Sequence, residues 1–450
     1  MRVLQSAGLA VLVLALASCS LGTQSSLPYM QSNVALRSLN GTGAGKITHI
    51  VYIVQENRSF DDLFHGYPGA DTVSRGKNSK GETIELRPIP LSRQYVIDHS
   101  HAAMFAACNA PPGDLPGTHC RMDGFDKEYS GEGPPNPEYV YVPHGDSKPY
   151  FDIAHEGVLA DRMFQSQLDE SFVGHQYVIA AQAAWSVDLP YGQWGCGGAR
   201  YDRVAIITKE RTISKHTQRP CFDYETLGDE LDTAHLSWRF YASSYGSPGS
   251  GEGAEWSSYQ AIKHIREGPD WKKDVISPNW RFMTDVKAGK LANFTWITPV
   301  CMDSDHVNCP GGNGPSWVAA LVNTVGESKF WNSTAIFIQW DDWGGLYDHV
   351  APAYLDRDSL GFRVPLVMVS PYARAGRVTH VHYETASVLR FAEDLWGLPQ
   401  MAPADRRANS PTGEFDFNQS PRKWVHIKAP LPPKFFEHYH ASDYWAPDYE

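Results

Sequence analysis

Long apolar runs are almost missing from this sequence. The one such run, Ala7 to Ala17, follows Met1-Arg2 and is too short to span a bilayer comfortably, so no membrane-crossing helix is expected. Basic runs are missing too. Lys and Arg number 39 against 51 Asp and Glu, a formal net charge of −12, which repels phosphate backbones and argues against nucleic acid as a partner. A phosphorylated small molecule fits such a chain only if a metal cation reverses the local field. No C-x-x-C spacing occurs, which disfavours a zinc site. No G-x-S-x-G elbow occurs, so an ordinary serine esterase is not indicated. No twin-arginine pair precedes the early apolar run, and there is no internal repeat.

What is present is the composition of a packed enzyme, 42% hydrophobic and 20% charged. The early apolar stretch reads as a secretory h-region. It ends Leu16-Ala17-Ser18-Cys19, which resembles a bacterial lipobox with Cys19 as the lipidated residue. The expected organisation is a lipoprotein signal peptide over 1–18, a flexible tether over 19–45, and a single catalytic domain over 46–450. Ser20 after the cysteine fits an outer-membrane destination, so an exported lipoprotein is expected, facing the periplasm or the cell surface and touching the membrane through its lipid anchor. Setting Cys19 aside leaves six cysteines, an even set suited to disulfides in an exported chain. They fall into three close couples, Cys108–Cys120, Cys196–Cys221 and Cys301–Cys309.

From Lys46 the pattern changes. Ile47 to Val54 is a β-branched run too apolar for a one-sided strand, and similar runs recur at Phe294–Val300, Thr334–Trp340 and Val364–Val369. Helix-like segments are expected at Gly157–Arg162, Thr226–Ala234, Ser316–Thr324 and Glu384–Trp396. Apolar strands alternating with helices predict an α/β fold with a mostly parallel central sheet covered on both faces. The Gly-, Pro- and Ser-rich segments near 109–150 and 242–256 read as long surface excursions.

In such sheets ligands gather beyond the carboxyl ends of the strands. The first strand is followed by Gln55-Glu56-Asn57-Arg58-Ser59-Phe60-Asp61, and the third by Asp341-Asp342-Trp-Gly-Gly-Leu-Tyr-Asp348-His349. Glu56, Asn57, Asp341 and Asp342 brought together would repel one another unless a divalent cation lay between them. Each motif alone reads more readily as a helix cap or a solvated turn, and it is their matched position at two apolar strand ends that points to a metal. Ser171, in Asp169-Glu170-Ser171-Phe172-Val173-Gly174-His175, opens an expected helix, where free backbone N–H groups can hold a phosphate. The alternative for it is a capping serine. Among 18 histidines, His99 and His306 each follow an aspartate, His101 completes the string Asp98-His99-Ser100-His101, and His349 follows Asp348 as a structural candidate.

Taken together, Ile47–Phe64, Met122-Asp123-Gly124-Phe125, Trp340–Val350 and Pro365–Gly376 resemble the bacterial phosphoesterase family, which includes phosphocholine-preferring phospholipases C and acid phosphatase A. The resemblance runs in order from about 46 to about 398. It implies an alkaline-phosphatase-like fold and one divalent metal ion held by Glu56, Asn57, Ser171, Asp341 and Asp342, with Ser171 also the nucleophile of a phosphoserine pathway. It implies substrate contacts from His99, His306 and His175, and leaves His264 and His235 as further candidates. Where Ser171 stands, phospholipase members commonly carry Thr, and where Asp341–Asp342 stand, an acidic-Asn pair, so this chain leans to the acid-phosphatase branch. Sulfatases share the fold but use a C/S-x-P-x-R motif that is not found here. Three readings follow: a metal-dependent phosphomonoesterase, a phospholipase C acting on phosphatidylcholine-type diesters, and an inactive surface lipoprotein that only binds. A small phosphorylated substrate or a phospholipid head group is the expected ligand.

Overall fold

The run after Lys46 forms a strand, β1 (His49–Gln55), buried at every residue but the first. The computed structural model describes residues 43, 45–131, 133–243 and 255–437, so the expected signal peptide, Cys19 and nearly all of the tether lie outside the described residues. Seven more strands complete the main sheet: β2 (Val158–Ala160), β3 (Trp238–Tyr241), β4 (Val275–Ile276), β5 (Phe294–Ile297), β6 (Thr334–Trp340), β7 (Leu366–Val369) and β8 (Arg377–Thr379). Their order across the sheet is β4-β3-β5-β1-β6-β7-β2-β8. Only the pairings that β7 makes with β6 and β2 are antiparallel. The α/β class and the mostly parallel sheet are therefore as expected.

Helices cover both faces, which is why the central strands tolerate no polar alternation. On one side, Tyr150 of α1 (His144–Glu156) meets Trp340 of β6 with ring centroids 5.0 Å apart. On the other, the Val178 carbonyl of α2 (Ser171–Ala180) accepts from Trp296 Nε1 of β5 at 2.9 Å. The helix α3 (Gly314–Gly326) is buried all round, because the C-terminal segment closes over its outer side: Asn323 Nδ2 donates to the Ile427 carbonyl. Phe391 of α4 (Ala386–Trp396) packs on Phe337 of β6.

Three expectations need correction. Gly157–Arg162 is not helical; it carries β2, whose three buried residues are paired between β7 and β8, and that pairing overrides a weak local preference. The run Val364–Val369 is a strand over Leu366–Val369 but runs antiparallel, since the loop from Asp341 returns it to β6 without a crossover helix. The 109–150 segment is more than a surface excursion. Its Phe125 and Tyr139 are buried with Trp343 in a second apolar cluster beneath the turn that follows β6. All three disulfides, Cys108–Cys120, Cys196–Cys221 and Cys301–Cys309, join the expected couples.

Behind α4, Glu230 and Glu393 are buried close to Asp405. Burial, reinforced by Glu225, Asp405 and Asp229, pushes the Glu230 carboxyl up to about 8. Burial and Asp405, with Glu230 adding and Arg390 opposing, push Glu393 up to about 10. Both hold a proton in the fold that the unfolded chain releases near 4.5. Their contribution to stability is thus complete below that pH and is lost as pH rises through about 8 and then about 10. Thermal melts between pH 5 and pH 9 are expected to show Tm falling by roughly 5–10 °C. Glu393→Gln should flatten that fall; equal Tm values at both ends for the unaltered chain would refute the assignment.

Candidate active site

The site is built by register. β1 and β6 pair from His49 opposite Thr334 to Gln55 opposite Trp340, so Glu56 and Asp341 leave the sheet side by side at its carboxyl edge. The Asp341 N–H donates to the Gln55 carbonyl at 2.9 Å, carrying the pairing one residue further. The chain then turns sharply at Asn57, whose φ of 52° lies in the left-handed region that Asn enters more readily than most residues. The Asn57 N–H donates to Asp341 Oδ1 at 3.1 Å, tying the two strand ends together. Gly344 lies against this turn with φ 63°, and a Cβ there would sit 2.5 Å from the Asn57 carbonyl oxygen.

Ser171 is the first residue of α2, so its hydroxyl and the first-turn N–H groups face the strand ends. Its Oγ donates to Asp342 Oδ2 at 3.0 Å, lies 3.5 Å from Glu56 Oε2, and accepts from Asn57 Nδ2 at 3.1 Å. Asn57 Nδ2 also donates to Asp342 Oδ2 at 3.0 Å, and Asp342 Oδ1 accepts from the Gly344 N–H at 2.7 Å. His175, one turn along α2 and on the same face as Ser171, places Nε2 3.0 Å from Glu56 Oε1 and 3.6 Å from Asp341 Oδ2. Close approach of α2 depends on Gly174, where a Cβ would lie 3.1 Å from the Asp341 carbonyl oxygen. Glu56, Asn57, Ser171, Asp341 and Asp342 are all fully buried.

This donor set suits a divalent cation. Three buried carboxylates converge, and ligand atoms of Glu56, His175 and Asp341 lie within 4.8 Å of one another. Asn57 Oδ1 and Asp341 Oδ2 are buried and receive no hydrogen bond, which is how oxygen ligands stand when their partner is a metal ion. The sequence grouped His175 with the substrate-facing histidines; the fold brings it to the carboxylates.

The other two histidines line one side. His99 Nδ1 is 3.0 Å from the Ile97 carbonyl and must carry a proton there, so the neutral ring turns a bare Nε2 toward Asn57 Nδ2, 3.0 Å away. His306 Nδ1 accepts from the Asn308 N–H at 3.1 Å, which leaves the proton of its neutral form on Nε2. The two rings meet edge to face with centroids 5.8 Å apart. His264 and His235 do not join them. His264 bridges Asp223 and Asp229 near the surface, and His235 closes the turn after the helix Leu227–Thr233. His349 has a structural place: its Nδ1 meets Asp61 Oδ2 at 2.6 Å and its Nε2 meets Asp71 Oδ1 at 3.2 Å, while buried Arg363 neutralises Asp61 and Asp348.

Sequence reasoning passed over the residues that hold the serine turn. Asp169 Oδ1 accepts from the N–H groups of Glu170 and Asp188, and Glu170 Oε1 accepts from the Leu189 N–H. His101 Nδ1 contacts the Leu168 carbonyl at 2.9 Å. Burial lowers the His101 pKa, but the Asp169 carboxylate outweighs that and raises it overall. Burial, then the Asp169 charge, pushes Asp188 up to about 6. The Asp-His-Ser-His string was a visible signal, but only the fold shows that its second histidine supports the serine turn.

Comparison with known proteins adds the following. The Phosphoesterase family profile matches residues 47–399. Phospholipase C A of Mycobacterium tuberculosis (strain ATCC 25618 / H37Rv) is 23% identical over an alignment of 425 residues, covering 83% of this chain and 78% of that one. Non-specific phospholipase C6 of Arabidopsis thaliana is 33% identical over 370 residues, covering 74% of this chain and 63% of that one. Among solved structures, a protein in the alkaline phosphatase superfamily from Vibrio parahaemolyticus aligns with a TM-score of 0.37 at 11% identity, over 86% of this chain and 80% of the other.

The tight contact at Gly344 is directly testable. Gly344→Ala adds a methyl group at positive φ against the Asn57 carbonyl and is expected to destabilise the fold by about 2–4 kcal/mol, read as a lower urea midpoint. An unchanged midpoint would mean that the Asn57 turn yields freely.

Proposed function

The chain belongs to the phosphoesterase family and is a phosphoric ester hydrolase, and from that premise we propose that Ser171 is its nucleophile, in a site that also holds a divalent metal ion. The observation that carries this reading is the position of Ser171 Oγ, 3.0 Å from Asp342 Oδ2 at the N-terminus of a buried helix. Glu56, Asn57, Asp341 and Asp342, with His175 alongside, would hold the ion. When bound, such an ion withdraws charge from phosphoryl oxygens and lowers the pKa of a coordinated hydroxyl.

The chain's own residues supply the rest. Asp342 takes the proton of Ser171 Oγ as the oxygen attacks phosphorus. The N–H groups at the start of α2 receive the phosphoryl oxygens, a role the helix dipole favours. The bond from phosphorus to the ester oxygen breaks, His306 Nε2–H donates a hydrogen bond to the departing oxygen, and a water on that side protonates it to the alcohol. The hydroxide left by that water attacks the phosphoserine from the same side, the bond from phosphorus to Ser171 Oγ breaks, Asp342 returns its proton to Oγ, and the phosphate product is released. His99, locked by Ile97, orients the Asn57 amide beside the nucleophile.

The phosphomonoester reading rests on the serine and the paired aspartates. A second reading, phospholipase C activity on phosphatidylcholine, is favoured by the similarity to proteins of that name. Three disulfides support folding in an oxidising compartment, in keeping with export and with Cys19 as a lipid anchor. Among the described residues no helix is long and apolar enough to cross a membrane.

Folded protein should hydrolyse p-nitrophenyl phosphate in a manner abolished by chelation and restored by a divalent ion. Ser171→Ala should lower kcat by a factor of at least about 10³. Acid-quenched reactions should show a phosphoryl group on the Ser171 peptide. Full turnover by the Ser171→Ala variant would remove the serine from the mechanism, and faster release from phosphatidylcholine than from the monoester would move the assignment to phospholipase C.

A further inference from the structure

A three-stranded antiparallel sheet stands apart from the main one, formed by Ser186–Tyr191, Arg203–Ile207 and Ile213–Gln218. The middle strand pairs with both others, so Ile213–Gln218 is an edge strand. None of its six residues is buried. A strand so placed has no core to serve, and its side chains address whatever lies outside.

Two features of that outer surface run against the rest of the chain. The first is charge. Within residues 200–219, Arg200, Arg203, Lys209, Arg211, Lys215 and Arg219 stand against only Asp202 and Glu210, in a chain of net charge −12. All of these cations except Arg211 are exposed, whereas Asp202 is buried. No continuous basic run announces this in the sequence; the hairpin gathers it.

The second feature is apolar exposure. Tyr191 is 86% exposed and stands opposite Arg203 across the ladder; Ile213, 50% exposed, stands opposite Ile207. Tyr201 is 74% and Trp185 54% exposed. Trp185 joins the same surface, since its carbonyl accepts from the Ile207 N–H and Arg357 lies over its ring at 4.3 Å. Tyr354 extends it, with the Arg211 guanidinium 5.1 Å from its ring. Tyr and Trp beside Lys and Arg are the side chains that settle at the boundary between lipid head groups and acyl chains.

We propose that this small sheet is a docking surface for an anionic phospholipid bilayer, with Lys209, Lys215 and Arg219 meeting head-group phosphates and Tyr191 and Ile213 entering the interface. The contact is made by folded protein and is independent of any lipid on Cys19. Its place relative to the catalytic centre is set by hydrogen bonds: the N–H groups of Asp188 and Leu189, in the first strand, donate to Asp169 and Glu170, the two residues before Ser171. Cys196–Cys221 ties together the two segments flanking the hairpin. A docked bilayer would therefore lie against a platform bonded to the nucleophile turn. The proposal deepens the phosphoesterase reading by naming a surface at which lipid esters are met, but vesicle binding can be measured without turnover.

The test is co-sedimentation of residues 20–450, which lack Cys19, with vesicles of phosphatidylglycerol and phosphatidylcholine, or of phosphatidylcholine alone, at low and high salt, with p-nitrophenyl phosphate turnover followed in parallel. The protein should partition onto the anionic vesicles, and high salt should weaken that binding. Replacing Lys209 and Lys215 by Gln should lower partition about twenty-five-fold, at about fivefold for each cation. Tyr191→Ser with Ile213→Ser should lower it about tenfold or more, and both pairs should leave soluble-ester turnover unchanged. Equal partition of unaltered and altered proteins would overturn the proposal. So would a loss seen only in the lysine pair with the apolar pair unaffected, which would make the surface a site for a soluble polyanion. Vesicle binding without turnover of any ester would leave the docking surface standing and refute the catalytic reading instead.

Discussion

Everything at the candidate active site depends on the seven-residue parallel register between β1 and β6. Because the strands end level, Glu56 and Asn57 emerge beside Asp341 and Asp342, and four oxygen-bearing side chains are forced into one buried volume. A shift of a single residue would turn alternate side chains to the opposite face and separate the pairs. The strands' own composition protects that register. Both faces of β1 and β6 are buried under helices, so their apolar residues hold a fixed position that a one-sided strand would not enforce.

Crowding carboxylates in this way is unfavourable in isolation, and the surrounding structure absorbs it locally. Asp342 accepts from Ser171, Asn57 and the Gly344 N–H; Asp341 accepts from the Asn57 N–H; Glu56 faces His175. What stays unsatisfied, Asn57 Oδ1 and Asp341 Oδ2, is oxygen. A buried site that gathers three carboxylates and is left short of hydrogen-bond donors at oxygen atoms is matched to a cation. The neighbouring Asp61, Asp348 and His349 show the contrast. There Arg363 supplies the positive charge, the hydrogen bonds close, and the cluster braces the loop after β6.

The central strands and the strand-end carboxylates could be read from the sequence because two-sided burial leaves a continuous apolar run, and the residue ending such a run is easy to see. What could not be read follows from weaker signals. β2 is three residues long, Val-Leu-Ala, and a segment of that length expresses no period; only its pairing makes it a strand. The hairpin strand Ile213–Gln218 is exposed on both sides, so it has neither the apolar run nor the alternation that marks a strand. His175 was visible as a histidine near Ser171, but its partnership with Glu56 depends on α2 docking against the turn after β6, which spacing alone does not disclose. His264 and His235 were candidates by residue type only, and type does not place a side chain.

The residues before Ser171 link these layers. Glu170 occupies the N-cap position of α2, yet its side chain does not cap the helix; it accepts from the Leu189 N–H of the small sheet instead. Asp169 likewise spends an oxygen on the Asp188 N–H. Two carboxylates that would ordinarily satisfy a helix start are thus committed outward, to the platform. The N-cap side chain therefore does not compete for the first turn of α2, and a phosphoryl group can address it. Were Glu170 to cap its own helix, it would both release the small sheet and set a negative charge at the helix start that the proposed mechanism assigns to a phosphoryl group. Attachment of the platform and receptiveness to anions of the helix that Ser171 opens are two results of the same pair of hydrogen bonds.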